Sequence, residues 1–174
     1  MVDEAELLAE LQRLRVRVPQ LTGALAASVD GLVLAQDTPG IEPEGVAALT
    51  AAALGVAQRL ADATEQGAFR ELLVRGTDGY VATYAAGEAA VLTLLAEDRV
   101  NVGRLHLEGR RAGTRIGELV TTAARSEAAA KESALRARGR ARARTTPATP
   151  ALPVRTPKTP TLPEQPNPQA GTAH

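Results

Sequence analysis

Few residues in this chain of 174 could perform catalysis or bind a metal ion. The absence of cysteine excludes thiol nucleophiles, disulfides and cysteine-based zinc sites. The two histidines, His106 and His174, are too few for a histidine-based metal cluster. Asp30 and Asp78 each precede a glycine, which is typical of turns. Without a Ser/His/acid set or a glycine-rich phosphate-binding loop, we expect a protein that is not an enzyme and has no cofactor or metal.

The residues best suited to bind an anionic partner are arginines near the end of the chain. Five of them alternate with alanine or glycine: Arg136, Arg138, Arg140, Arg142 and Arg144. The chain up to Ala134 has 13 basic and 19 acidic residues, a net charge of −6, and the remainder has +6. We do not expect nucleic acid as a partner, because no aromatic residues are interleaved for base stacking. This arginine row would bind a membrane only by weak electrostatics. The alternative is that the row is solvated or folds back on the acidic body.

The end of the chain has a different composition from the rest. Eight of the eleven prolines lie in residues 145–174, together with many threonines and no core-forming pattern. We therefore predict a disordered Pro/Thr-rich tail at 145–174. Residues 126–144 are predicted to be a helical, arginine-rich extension, with helix continuing to about Ala137.

The residues before this extension must form the folded body. A first helix is predicted from a cap at Asp3 to Val18, where the following proline ends it. A β-hairpin follows, with strands over Ala24–Ser28 and Leu32–Ala35 and a turn at Val29-Asp30-Gly31. Because no apolar run approaches the roughly 18 residues of a membrane span and the N-terminus is acidic, we expect a cytoplasmic protein.

A second helix is predicted over Glu44–Gln66, with Gly67 as its C-terminal cap. One stripe of this helix consists of Leu49, Ala52, Ala53, Val56 and Leu60. The opposite side is also poor in charge, so the helix should be buried on more than one side. In so small a domain, the second side most easily contacts another chain.

Three strands and a long third helix complete the body. The strands are predicted over Phe69–Arg75, Tyr80–Ala85 and Ala89–Ala96, and the helix begins after a cap at Asn101. Glycines recur in that helix at Gly109, Gly113 and Gly117. This spacing favours close packing of the helix on the sheet over glycines that are merely tolerated at a cost in helix stability. The predicted fold is α+β, with the order α-β-β-α-β-β-β-α and a five-stranded, mainly antiparallel sheet between helices.

This ordered set of elements resembles the bacterial roadblock/dynein light-chain family, of the type associated with small GTPases in high-GC bacteria. The matching stretches are TGALAASVDGLVLAQD, AALTAAALGVAQRLAD and ELLVRGTDGYVATYAAGEAAVLTLLA. The resemblance covers about residues 4–125, and we assign 3–125 to a roadblock domain. It implies a profilin-like sandwich.

The resemblance also implies a homodimer formed by the middle helix and the strand after it. The interface residues that it implies are Leu49, Ala52, Ala53, Val56, Arg59, Leu60, Arg70, Leu72 and Val74. As partners it implies a Ras-like small GTPase and, in the high-GC group, a sensor-kinase-like protein.

The function expected from the resemblance is that of a regulator or scaffold of a Ras-like GTPase. Activation could proceed by positioning the GTPase's own residues, because phosphoryl transfer depends mostly on positioning and charge stabilisation. Alternatively, an arginine of this chain could enter the GTPase site, and the candidates are Arg59, Arg70 and Arg75. For each of them, a solvated position or one at the rim of the dimer interface is more typical. The alternative is an assembly subunit of a signalling or motility complex with no effect on GTP turnover.

Overall fold

The computed structural model describes residues 3–144 and gives side-chain exposures for residues 3–138 and 140. The predicted tail at 145–174 lies outside the described residues. The elements follow the predicted order: α1 (Glu4–Arg17), β1 (Leu21–Ser28), β2 (Val33–Asp37), α2 (Pro43–Ala63), β3 (Glu71–Arg75), β4 (Gly79–Ala86), β5 (Ala90–Glu97) and α3 (Val102–Arg144).

The five strands form one sheet in the order β2-β1-β5-β4-β3, in which every neighbouring pair is antiparallel. Helices α1 and α3 contact each other and cover one face, whereas α2 contacts β1, β2 and β5 on the other face. The predicted α+β sandwich is therefore confirmed. The strands β1 and β5 are central, and β2 and β3 form the two edges.

The two faces of the sheet bury cores of very different size. The larger core lies between the sheet and helices α1 and α3, and includes Leu11, Leu92 and Ile116, all fully buried. The smaller core beneath α2 contains only five buried residues. They are Leu25, Ala27, Ala47, Leu54 and Val91. Helix α2 is thus held by a narrow contact, and most of its surface remains outside the protomer's core.

The predicted hairpin is confirmed, with small shifts in its strands. Gly31 has a φ of +85°, as the predicted turn requires, and its N–H donates to the Ser28 carbonyl at 3.0 Å. Strand β1 begins at Leu21 rather than Ala24, because its N-terminal half pairs with β5 and not with β2. Strand β3 is shorter than predicted, since its pairing with β4 starts at Glu71.

The predicted C-terminal cap of α2 at Gly67 is wrong. The helix ends at Ala63, and Glu65 adopts a left-handed φ of 56°. The N–H of Glu65 then donates to Asp62, and that of Gln66 donates to Ala61. This is the pattern of a Schellman motif, in which glycine is the usual residue at the position that Glu65 occupies.

Replacing Glu65 with glycine is expected to raise the free energy of unfolding by about 1 kcal/mol. The change relieves the left-handed strain of a residue with a Cβ, and it removes a negative charge from the negative end of the helix dipole. Urea unfolding followed by circular dichroism measures the difference. Gln66→Gly is the control, because Gln66 does not have a positive φ and should gain nothing.

The packing of α3 confirms the interpretation of its glycine row. Asn101 caps the helix, with its Oδ1 accepting from the Arg104 N–H at 2.9 Å. A Cβ on Gly109 would lie 2.5 Å from Cζ of Tyr84, and one on Gly117 would lie 2.7 Å from the backbone of Ala86. The glycines therefore let α3 lie directly on β4. Beyond the sheet the helix continues to Arg144, past the predicted end near Ala137, in a segment rich in the good helix formers Ala, Glu, Lys and Arg.

The two edges of the sheet differ. At the β2 edge, the pairing of β1 with β2 shifts register between Ala26 and Ala27, and α1 packs against β2. Both carboxylate oxygens of Asp37, the last residue of β2, accept from Nη1 of Arg15 on α1, at 2.8 and 2.9 Å. Bulges and charged residues of this kind discourage further strand pairing. Strand β3 pairs with β4 without a register shift, and its charged residues, Glu71 and Arg75, lie at its two ends, so the centre of this edge is open.

Candidate interaction surface

The predicted stripe of α2 lies on the exposed side of the helix. The buried residues of α2 are Ala47, Thr50 and Leu54, which face the sheet. On the outer side, Leu49, Val56 and Leu60 are 73, 68 and 63% exposed. Ala52 is exposed as well, and Ala53 is half-buried. A monomer thus presents a row of large apolar side chains to solvent, which is typical of an interaction surface.

Helix α2 also changes one expectation about membranes. With 21 residues and a most apolar window of mean hydropathy 1.2, it is long and apolar enough to cross a membrane by length and composition alone. The expectation that no segment approaches this length is therefore wrong. In the fold, the Thr93 hydroxyl of β5 donates to the Thr50 hydroxyl at 3.1 Å, so one side of α2 is packed on the sheet.

The part of the sheet beside α2 is also apolar and uncovered. Leu72 pairs with Thr83, which pairs with Thr93, so Leu72 lies on the same face as α2. By the same alternation Val74 and Val81 lie on this face, and they are 51 and 36% exposed. Leu60 and Leu72 line one groove between the end of α2 and β3. The structure therefore brings the two predicted groups of interface residues together on one surface, which we call the α2–β3 surface.

The three arginines singled out by the sequence are all exposed. Arg70 lines the groove of the α2–β3 surface, and Arg59 lies one residue before Leu60 on α2. Arg75 instead lies over the ring of Tyr80, 5.5 Å from its centroid. Arg59 and Arg70 are thus the two that a partner on this surface could contact.

A polar cluster supports the β3 edge from the other face of the sheet. The hydroxyl of buried Tyr84 lies 3.1 Å from Nδ1 of His106, and Glu71 Oε1 lies 3.6 Å from the same nitrogen. The other Glu71 oxygen lies 2.9 Å from Nε of Arg110. Burial raises the pKa of the Tyr84 phenol, the Glu71 carboxylate raises it further, and Arg110 opposes the shift. The sequence analysis did not find this cluster, because the partners of His106 are distant along the chain.

Replacing Tyr84 with phenylalanine is expected to lower the free energy of unfolding by about 1 kcal/mol at neutral pH, through loss of the hydrogen bond to His106. The pH dependence should change too. Above the ordinary tyrosine pKa of about 10, the unfolded chain loses this proton while the folded chain keeps it, so wild-type stability falls as pH rises.

Urea titrations between pH 7 and 11 should therefore show a shallower alkaline loss for Tyr84→Phe than for the wild type. Tyr80→Phe, on the same strand but partly exposed, is the control for general loss of a phenol. Equal alkaline slopes for the wild type and Tyr84→Phe would contradict the role assigned to burial of the Tyr84 hydroxyl.

The extension carries the arginines predicted to bind an anionic partner. Arg136, Arg138 and Arg140 are exposed on the helical part of the extension. The backbone at Arg142 and Arg144 is helical as well, but their side chains lie outside the described set. Within residues 3–138 and 140, no group of three or more His, Cys, Asp or Glu side chains could hold a metal ion.

Comparison with known proteins places this geometry in a family. A sequence profile described as the Roadblock/LC7 domain matches residues 7–96, which is more than half of the chain. The chain belongs to the Roadblock/LC7 domain family. The protein MJ0310 of Methanocaldococcus jannaschii, which is described as uncharacterized, is 32% identical over 97 residues, covering 55% of this chain and 84% of that relative.

Solved structures share the fold of this roadblock domain. The gliding protein MglB of Thermus thermophilus superposes with a TM-score of 0.61 at 22% identity, over 67% of this chain and 89% of that one. An MglB with a tetrameric arrangement gives a TM-score of 0.64 at 22% identity, over 69% of this chain and 91% of its own. Both leave out about a third of this chain, and the profile match ends at residue 96, before α3.

Proposed function

We propose that this roadblock protein is a non-enzymatic, cytoplasmic homodimer that regulates or scaffolds a Ras-like small GTPase. The observation that carries the proposal is the α2–β3 surface, where an exposed apolar helix face adjoins an uncovered apolar half of the sheet. Apolar area left in water contributes no stabilising free energy to a monomer, whereas burying it against a partner does. We assign this surface to two partners, a second copy of the chain and a further protein.

The second copy is supported by the open β3 edge. If two β3 strands pair antiparallel across a two-fold axis, the two five-stranded sheets join into one. Val74 and Val81 of each copy then lie beside the joined strands, on the face of the sheet that carries α2. The tetrameric arrangement of an MglB with the same fold is consistent with self-association.

The further protein would contact the outer side of the paired helices. Only Glu44, Arg59 and Asp62 are charged within Pro43–Ala63, so the centre of this surface is apolar and its charges lie near the helix ends. The family resemblance supports a small GTPase as this partner. Arg59 and Arg70 have no ion pair among the described residues and remain free to contact it.

Affinity capture of a small GTPase tests this function. Full-length protein is immobilised and exposed to native extract with GDP or a non-hydrolysable GTP analogue, and bound GTPases are identified by mass spectrometry. We expect one small GTPase to be enriched in the GTP-like state and lost with Leu49→Asp/Val56→Asp. The control is Val16→Asp, which makes the same chemical change at an exposed position on α1, outside the α2–β3 surface. Absence of any GTPase would overturn the proposal.

A turnover assay with the captured GTPase separates regulation from scaffolding. If regulation acts by positioning the GTPase's own residues, Arg59→Ala and Arg70→Ala should each leave GTP hydrolysis in the complex within about threefold of wild type, whereas loss of an inserted arginine costs about 10³-fold or more. Unchanged turnover in the wild-type complex would instead favour the assembly subunit.

A further inference from the structure

From the C-terminal part of α3 we infer a second binding site, which does not depend on the proposed function. We propose that the arginine-bearing end of α3 binds duplex DNA by lying in its major groove and contacting phosphates on both sides. The site consists of the helical segment from Leu135 to Arg144, and its ligand is the sugar–phosphate backbone of B-form DNA. Binding of this kind is independent of base sequence.

The first support is that this segment stands clear of the body. The last side chain of α3 that is partly covered is Glu127, and every described side chain from Ala128 onward is exposed. At a rise of about 1.5 Å per residue, Arg136 lies about 14 Å and Arg140 about 20 Å beyond Glu127. Both distances exceed the screening length of about 8 Å at physiological salt, so the acidic body does not repel a polyanion at the tip.

The second support is the placement of the arginines around the helix. Successive α-helical residues are rotated by about 100°, so Arg136 and Arg140 lie about 40° apart, while Arg138 lies about 200° from Arg136. Positive charge is therefore present on opposite sides of one helix. A flat anionic membrane would contact only one of these sides, whereas the two walls of a groove contact both. The segment also has no apolar face to insert into lipid, since Leu135 is its only large apolar residue.

The dimensions agree with the major groove of B-form DNA. That groove is about 12 Å wide and admits an α-helix, whereas the deep, narrow major groove of duplex RNA does not. Within the segment, Arg138 and Arg140 have no partner among the described residues, whereas Arg136 forms an ion pair with Glu132 at 2.6 Å. The lack of aromatic residues, which argued against stacking on unpaired bases, has no bearing on a duplex.

Fluorescence anisotropy of full-length protein with a labelled 24-base-pair DNA tests the proposal across 50–200 mM salt. If Arg136, Arg138 and Arg140 contact phosphates, the plot of log affinity against log salt should have a slope of about −2.7. Arg138→Gln/Arg140→Gln should make that slope less steep by about 1.8 and weaken binding at least about tenfold at 50 mM salt. Arg104→Gln/Arg125→Gln removes the same charge from exposed positions nearer the body and should change affinity less than about twofold.

A substitution at Gly139 separates helical geometry from charge. Gly139→Pro keeps all five arginines but breaks the helix between them, and should weaken duplex binding at least about fivefold. The proposal is overturned if duplex binding is absent, or if Gly139→Pro leaves it unchanged. Equal binding to single-stranded DNA or duplex RNA would also contradict it, as would tighter binding to vesicles of anionic lipid.

Discussion

Replacing Gly109 with alanine is expected to lower the free energy of unfolding by about 2–3 kcal/mol, because the added methyl group overpacks the core. The new Cβ would lie 2.5 Å from Cζ and 3.0 Å from Cδ2 of Tyr84. Tyr84 is fully buried between β4 and α3, so its ring cannot move away without disturbing the core. Chemical denaturation of the purified protein measures the loss.

The sign of the effect distinguishes crowding from helix propensity. Gly103→Ala, in the exposed first turn of the same helix, meets only Asn101 Oδ1 at 3.4 Å and should stabilise the domain by up to about 1 kcal/mol. In the double variant Gly109→Ala/Tyr84→Leu, the smaller side chain should recover part of the loss. A Gly109→Ala protein as stable as the wild type would show that α3 does not lie as close to β4 as described.

Placing aspartate at Leu49 and Val56 is expected to convert the proposed dimer into a monomer. Each side chain that is buried in a dimer contributes about 1.5 kcal/mol or more, and two-fold symmetry makes every substitution act twice. Four altered positions then weaken the dimer on the order of 10⁴-fold. Sedimentation equilibrium over a range of protein concentrations measures this change.

The monomer should remain folded, because Leu49 and Val56 are 73 and 68% exposed within the protomer. A circular dichroism spectrum and unfolding midpoint near those of the wild type would confirm this. Val16→Asp, at the most exposed large apolar residue of the described part, should leave the dimer intact. If the Leu49→Asp/Val56→Asp protein sediments like the wild type, α2 does not form the dimer interface.

Local signals were sufficient to predict most of the fold. The Val29-Asp30-Gly31 turn between apolar runs predicted the first hairpin, and the glycine spacing in α3 predicted close packing on the sheet; the structure confirms both. These features depend on residues close together in the chain. Charge-poor residues on both sides of α2 predicted a helix buried on more than one side; within the protomer one side is packed on the sheet, and Leu49 on the other side is exposed.

Features set by distant residues were missed. Glu71, Tyr84 and His106 form one cluster only because β3 pairs with β4 and α3 packs on β4, and no spacing in the sequence indicates this. The end of α2 was misplaced for a different reason. Glycine is the expected residue at a left-handed cap, and the chain adopts that conformation at Glu65 although Gly67 is two residues away. The composition near Gly67 therefore pointed to the right motif at the wrong residue.

The difference between the two sheet edges limits how many copies can join. A subunit with two open edges could add copies at both ends and grow into a fibre, as strands do in amyloid. Here the β2 edge carries a register shift and is packed against α1, so each chain offers one strand, β3, for pairing. Once two β3 strands have met, no equivalent edge is left. In the proposed dimer, growth of the sheet therefore stops at two chains, and a larger assembly would need surfaces other than the strand edges.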